Sequence, residues 1–191
     1  MKISHVITTD KLASELFPIP KDACPVNLLS IKMTSVKSLN ISQRGIDNIR
    51  AFEGFRSKAY LDSVGIATIG YGTIKHDGVR VKLGDTCTKE QAEYWLMEFI
   101  NHEVEPYIDS LVTVNISQLM FDALCSFIYN LGSTAFSNSS LLTLINRKEF
   151  MLAAEQFPRW NKGRVKGVII SIDGLTKRRK AEREIFISGI S

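Results

Sequence analysis

Two carboxylates and a threonine at fixed spacing carry the clearest chemical potential in this chain: Glu53, Asp62 nine positions on, and Thr68 six beyond that. They fall in EGFRSKAYLDSVGIATIGYGT, residues 53–73, with further hydroxyls at Ser63 and Thr73 and glycines at 54, 65, 70 and 72. Two acids in unlike surroundings, one protonated and one ionised, can cleave a glycosidic bond. The first protonates the leaving oxygen, and the second orients water or stabilises positive charge on the sugar. Glu53 suits the first role and Asp62 the second, with Thr68 able to hold the attacking water. The spacing taken alone is better explained by a structural ion pair or a surface role.

The elements that must position these residues are legible around them. In SQRGIDNIRAFEG, Ile46, Ile49, Ala51, Phe52 and Phe55 recur at helical spacing, Ser42 is an N-cap and Gly54 a C-cap glycine. Glu53 therefore falls in the last helical turn, an unusual place for a carboxylate because the negative end of the helix dipole repels it. AYLDSVGIATIGYGT then alternates on both sides of an Asp-Ser-Val-Gly turn, which predicts a β-hairpin beside the helix end. Gly70 and Gly72 leave that strand bare, so a bulky ligand is expected to approach the backbone there.

The order of Glu53, Asp62 after eight intervening residues and Thr68 after five more, running into TIGYG, resembles the catalytic signature of the phage-type lysozymes, which include the lambdoid endolysins. ISQRGIDNIRAFEG, FDALCSFIYNLG and GLTKRRKAEREIF resemble the same family in the same order, so the resemblance spans about residues 41 to 189. It implies an α+β, mostly helical, lysozyme-like fold: a small β-hairpin lobe, a larger helical lobe and a cleft between them. It implies a muramidase that cleaves the β-1,4 bond between N-acetylmuramic acid and N-acetylglucosamine of bacterial peptidoglycan, a phage or prophage endolysin for host cell lysis, monomeric and needing no cofactor. By the same resemblance Glu53, Asp62 and Thr68 are catalytic, and Gly72, Ile74, Tyr129 and Ser139 line the saccharide cleft. Arg178 pairs with the catalytic glutamate, its neighbour Arg179 being the alternative. Two other readings stay open: a lytic transglycosylase acting on the same bond without water, and a non-catalytic wall binder or membrane-active protein.

The rest of the chain fits this plan. Its 191 residues, 45% hydrophobic and 23% charged, have the composition of an ordinary globular protein. Residues 1–40 lie outside the resemblance and are expected to form an extension with short strands, in VNLLSIKMTSVKSL, before a catalytic domain at 41–191, a cell-wall-binding module or a flexible leader being the alternatives. Asp10, Lys11 and Glu15 interrupt any apolar core of a signal peptide or signal-anchor. Synthesis in the host cytoplasm and passage to periplasmic peptidoglycan after holin-type permeabilisation is the route this implies. Cys24, Cys87 and Cys125 have no metal-ligand spacing and His5, His76 and His102 form no cluster, so free thiols and no metal are expected.

TKEQAEYWLMEFINHEVEPYI opens with a capping box, Thr88 with Gln91, and predicts a helix that bends or ends before Pro106, with Trp95 and Phe99 as core. SQLMFDALCSFIYNLG predicts the buried central helix of the large lobe. It is followed by a loop at Phe136–Ser140, short helices, and a β-branched run at 168–172 read as a strand or buried connector. Between Arg159 and Arg183 nine basic residues and two acids give a local net charge of +7 against +4 for the whole chain. Such a patch fits an anionic wall or outer-membrane surface, and without aromatic interleaving it gives no sign of nucleic-acid binding.

Overall fold

A computed structural model of the chain describes residues 39–62, 65–165 and 168–190. The strands expected within residues 1–38 lie outside these. Helix α1 (Gln43–Glu53) starts where Ser42 Oγ accepts the Gly45 N–H, and the same serine is tied to Asp122 through its own N–H at 2.9 Å and its hydroxyl at 2.5 Å. The helix stops at Gly54, whose φ of 66° lets its N–H return to the Arg50 carbonyl at 2.9 Å. The chain then enters β1 (Arg56–Leu61), antiparallel to β2 (Ala67–Gly70) with Tyr60 opposite Thr68. A second ladder, β3 (Lys75–His76) with β4 (Val79–Arg80), completes the strand-bearing part.

Helix α2 (Lys89–Glu103) carries the expected capping box at Thr88 and Gln91 and ends at Val104, ahead of Pro106 in α3 (Glu105–Leu111). It packs on β2 at Gly70, where a Cβ would stand 2.9 Å from Ala92 Cβ, and where φ is +65°. The absence of a side chain at Gly70 therefore serves packing between helix and hairpin, not the approach of a ligand. Glu105, at the start of α3, is buried and accepts the Ile41 N–H at 2.7 Å, fixing the chain just before α1.

Helix α4 (Gln118–Leu131) is the centre of the fold: every residue from Met120 to Asn130 is buried, and α1, α3, α5 and α8 pack around it. A helix buried on all sides must also satisfy its polar groups, and Asp122, Ser126 and Asn130 are each hydrogen-bonded to a neighbouring element. Phe127 meets Phe136, Phe157 and Trp160 edge-to-face at 6.3, 5.6 and 5.4 Å, and burial of each such ring contributes roughly 1.5–3 kcal/mol. The enclosing pieces are α5 (Ser133–Ser137), α6 (Ser140–Asn146), α7 (Phe150–Ala154), a 3₁₀ turn (Phe157–Trp160) and α8 (Asp173–Ser188). The segment expected as a loop from Phe136 is thus partly helical, since α5 runs on to Ser137. The β-branched run forms β6 (Val168–Ser171), paired with β5 (Lys162–Val165) and exposed rather than buried.

Candidate active site

Glu53 ends α1 as a buried carboxylate, 5% exposed. A buried carboxyl group in such a place requires a hydrogen-bond partner, and α8 supplies it: Arg178 Nη1 donates to Glu53 Oε1 at 2.6 Å. Arg178 itself is 3% exposed, with its guanidinium 5.6 Å from the centre of the Phe52 ring. Burial works against its charge, but the carboxylates of Glu53 and Glu182 outweigh this and hold its pKa above the ordinary value. Arg179 turns the other way, donating to Asn130 Oδ1 at 3.0 Å and to Glu182 Oε1 at 2.8 Å. Of the two candidate arginines, Arg178 is the one hydrogen-bonded to Glu53.

Asp62 follows β1, and the hairpin turn fixes its direction. Its Oδ1 accepts the Ile66 N–H at 2.8 Å, its own N–H donates to the Ile66 carbonyl at 2.9 Å, and Gly65 N–H donates to its carbonyl at 3.1 Å. Thr68, on β2, is fully buried and donates its hydroxyl proton to the Ile66 carbonyl at 3.0 Å. With that proton committed, Thr68 Oγ1 can only accept a hydrogen bond from a water molecule.

Gly72, Ile74 and Tyr129 meet in the wall of an open groove of about 600 Å³. Tyr129 donates its hydroxyl to the Tyr71 carbonyl at 2.9 Å, tying α4 to the turn after β2. Burial, together with the charge of Glu53, pushes its phenol well up, so it stays a neutral donor. The groove wall includes none of Glu53, Asp62 and Thr68; Tyr129 is the groove residue whose phenol feels the charge of Glu53. Ser139 is not in the groove wall; it caps α6 by accepting the Leu142 N–H at 3.1 Å and donates to the Phe136 carbonyl at 2.7 Å. Trp95 and Phe99, expected as core, both line the groove; Trp95 is half-buried and also packs against the core. Phe99 is 43% exposed and meets Tyr129 edge-on at 5.3 Å, while Trp95 stacks on His76 at 4.1 Å. Among the described residues no group of three or more His, Cys, Asp or Glu side chains is arranged to hold a metal ion.

Comparison with known proteins decides the family. The family model described as phage lysozyme matches residues 50–182. The chain belongs to the phage lysozyme family. It is 42% identical over 151 residues to the endolysin of Salmonella phage P22, a match covering 78% of this chain and 99% of that one. The structure of an endolysin from Escherichia coli O157:H7 phage FAHEc1 superposes with a TM-score of 0.75 at 39% identity, covering 80% and 96% of the two chains. The muramidase domain of SpmX from Asticaccaulis excentricus superposes with a TM-score of 0.66 at 30% identity, covering 78% and 97%. The chain is accordingly a lysozyme, a glycoside hydrolase of peptidoglycan.

In this lysozyme the sequence reading missed the groove-facing aromatics and a buried polar cluster around Ser126, Asn130 and Glu182. The signal for the cluster was present, since Glu182 stands one helical turn beyond Arg178 on a face that also carries Leu175 and Ile185. The corresponding correction falls on the basic patch. Arg178 and Arg179 are internal and paired, and Arg183 is paired with Glu155, so the charge presented to solvent comes from residues such as Arg159, Lys162, Arg164, Lys177 and Lys180.

Proposed function

We propose that this lysozyme cleaves the β-1,4 bond between N-acetylmuramic acid and N-acetylglucosamine as an endolysin, with residues 41–191 as its catalytic domain. Glu53 gives its proton to the bridging oxygen as the bond from that oxygen to the muramic C1 breaks. A water molecule, hydrogen-bonded to Thr68 Oγ1 and passing its proton to the Asp62 carboxylate, adds to C1 from the opposite face. The observation that carries this reading is the buried Glu53 at the end of α1, its Oε1 accepting from Arg178 at 2.6 Å. The groove lined by Gly72, Ile74, Phe99 and Tyr129 receives the glycan, an open channel of mixed aromatic and backbone surface suited to sugar rings.

Exposed basic residues such as Lys162 and Arg164 would draw the enzyme to the anionic envelope, where it works as a monomer. Among the described residues no helix is long and apolar enough to cross a membrane. Passage to the periplasm after holin-type permeabilisation is part of the same proposal.

The test is turbidity loss of permeabilised Gram-negative cells with mass analysis of the released muropeptides. Hydrated muramic ends are expected from the wild type, whereas anhydro ends would indicate transglycosylation. Glu53→Gln is expected to lower the rate by ~10²–10⁴ while wall binding and folding persist, because proton donation alone is lost. Retention of more than about a tenth of the activity, against that expectation, would remove Glu53 from the role of acid.

A further inference from the structure

Glu182 is fully buried in α8, and all its hydrogen bonds run through one oxygen. Oε1 accepts from Ser126 Oγ at 2.7 Å, Arg179 Nη2 at 2.8 Å and Arg178 Nε at 3.1 Å, while Oε2 has no hydrogen-bond partner among the described residues. A buried carboxylate with one oxygen unsatisfied is costly, so packing alone does not account for an acid there.

The geometry of Arg178 gives the reason. Its Nε is on Glu182 at 3.1 Å and its Nη2 on the Ser126 carbonyl at 3.1 Å. A guanidinium is a rigid plane, so fixing these two edges fixes the direction of the third. That third nitrogen, Nη1, meets Glu53 at 2.6 Å. Charge points the same way. Arg178 and Arg179 are adjacent and both buried, and burial together with Arg178 lowers the pKa of Arg179 to about 10. Glu53 and Glu182 balance the two guanidiniums. Without Glu182, both arginines would have Glu53 as the one remaining carboxylate of the cluster.

We propose that Glu182 is a positioning residue for the reaction: it holds the Arg178 fork in the orientation that presents one nitrogen to Glu53, and it keeps Arg179 from drawing on the same carboxylate. Glu182 never touches the glycan. This rests on the reading of Glu53 as proton donor.

Turnover of soluble glycan strands released from sonicated sacculi, measured with the full chain, tests it. Glu182→Gln is expected to lower kcat by about ten- to a hundredfold, the scale of loss that follows a small misplacement of a catalytic group, while KM stays within about twofold. In an Arg178→Ala background the same substitution should lower kcat by less than about twofold, since its effect passes through Arg178. A wild-type kcat in Glu182→Gln, or an equal loss in both backgrounds, would overturn the proposal. Should Glu182→Gln fail to fold, Arg179→Met with Glu182→Gln removes one charge of each sign and leaves the cluster balanced. The proposal requires that this pair also turn over slowly, and a wild-type kcat there refutes it. Activity surviving in Glu53→Gln would defeat the reading of the proton donor itself. An inactive Glu53→Gln beside a fully active Glu182→Gln would defeat the present inference alone.

Discussion

Arg178 and Glu53 are 125 positions apart in the chain and 2.6 Å apart in the fold, in a place where their side chains are 4% and 1% exposed. This contact joins the last helix to the end of the first described one, so its loss bears on stability and, on the proposed mechanism, on turnover as well. Removing one member of such a pair leaves the other charge buried, at a cost of roughly 3–5 kcal/mol. Arg178→Ala is therefore expected to lower unfolding stability by that order and to reduce turnover at every ionic strength, because a buried contact is poorly screened. Chemical denaturation and lysis rates at a temperature where the variant remains folded check both. Full activity in a folded Arg178→Ala would show that the contact is structural only.

Charges on the surface make the opposite demand on salt. Lys162 and Arg164 are exposed, and their joint replacement by Gln should leave unfolding stability within about 0.5 kcal/mol of the wild type. The lysis deficit of that variant should be largest at low salt and shrink towards 0.1 M and above, where exposed charges are screened over about 10 Å. A deficit that does not change with salt would assign these residues to direct contacts with the glycan.

Gly70→Ala tests the joint between hairpin and helix. The new Cβ would meet Ala92 Cβ at 2.9 Å, in a backbone conformation with φ of +65° that L side chains avoid. Overpacking and backbone strain together should destabilise the protein by about 1–3 kcal/mol. Because β2 also carries Thr68, turnover of the folded fraction should fall as well. Unchanged stability would mean that α2 shifts freely against the hairpin.

How much of this was legible in the sequence depended on whether the deciding partner was local. Ser42, Gly54, Thr88 and Gln91 act within a few residues of themselves, and the helix ends that place Glu53 and start α2 follow from them. Gly70 was read as open because its neighbour Ala92 belongs to another element. Phe99 and Trp95 lie on an apolar helical stripe, and periodicity shows such a stripe without showing that part of it faces a groove. The family resemblance alone sets Arg178 against Glu53; composition counts both arginines in the basic patch, since Glu53, Ser126 and Asn130 meet them only in the folded chain.

The last expectation concerns Glu105, whose carboxylate accepts the Ile41 N–H at 2.7 Å at the entrance to α1. Burial raises its pKa above the ordinary 4.5; the hydrogen bond from Ile41 opposes this, and Asp109 adds to it. A carboxyl whose folded pKa is raised contributes stability that is complete below its unfolded pKa and is lost as pH rises through the folded value. At neutral pH the protein therefore bears the cost of an ionised, buried Glu105. Glu105→Gln keeps an oxygen for the Ile41 N–H and removes that cost. The variant should unfold at a higher temperature than the wild type at pH 7, and the gap should close as the pH is lowered through the carboxylate range. Melting curves of both proteins over that range decide it: a gap that persists once Glu105 of the wild type is protonated would place the gain in packing, and a less stable variant at pH 7 would show that the hydrogen bond to Ile41 needs the full negative charge.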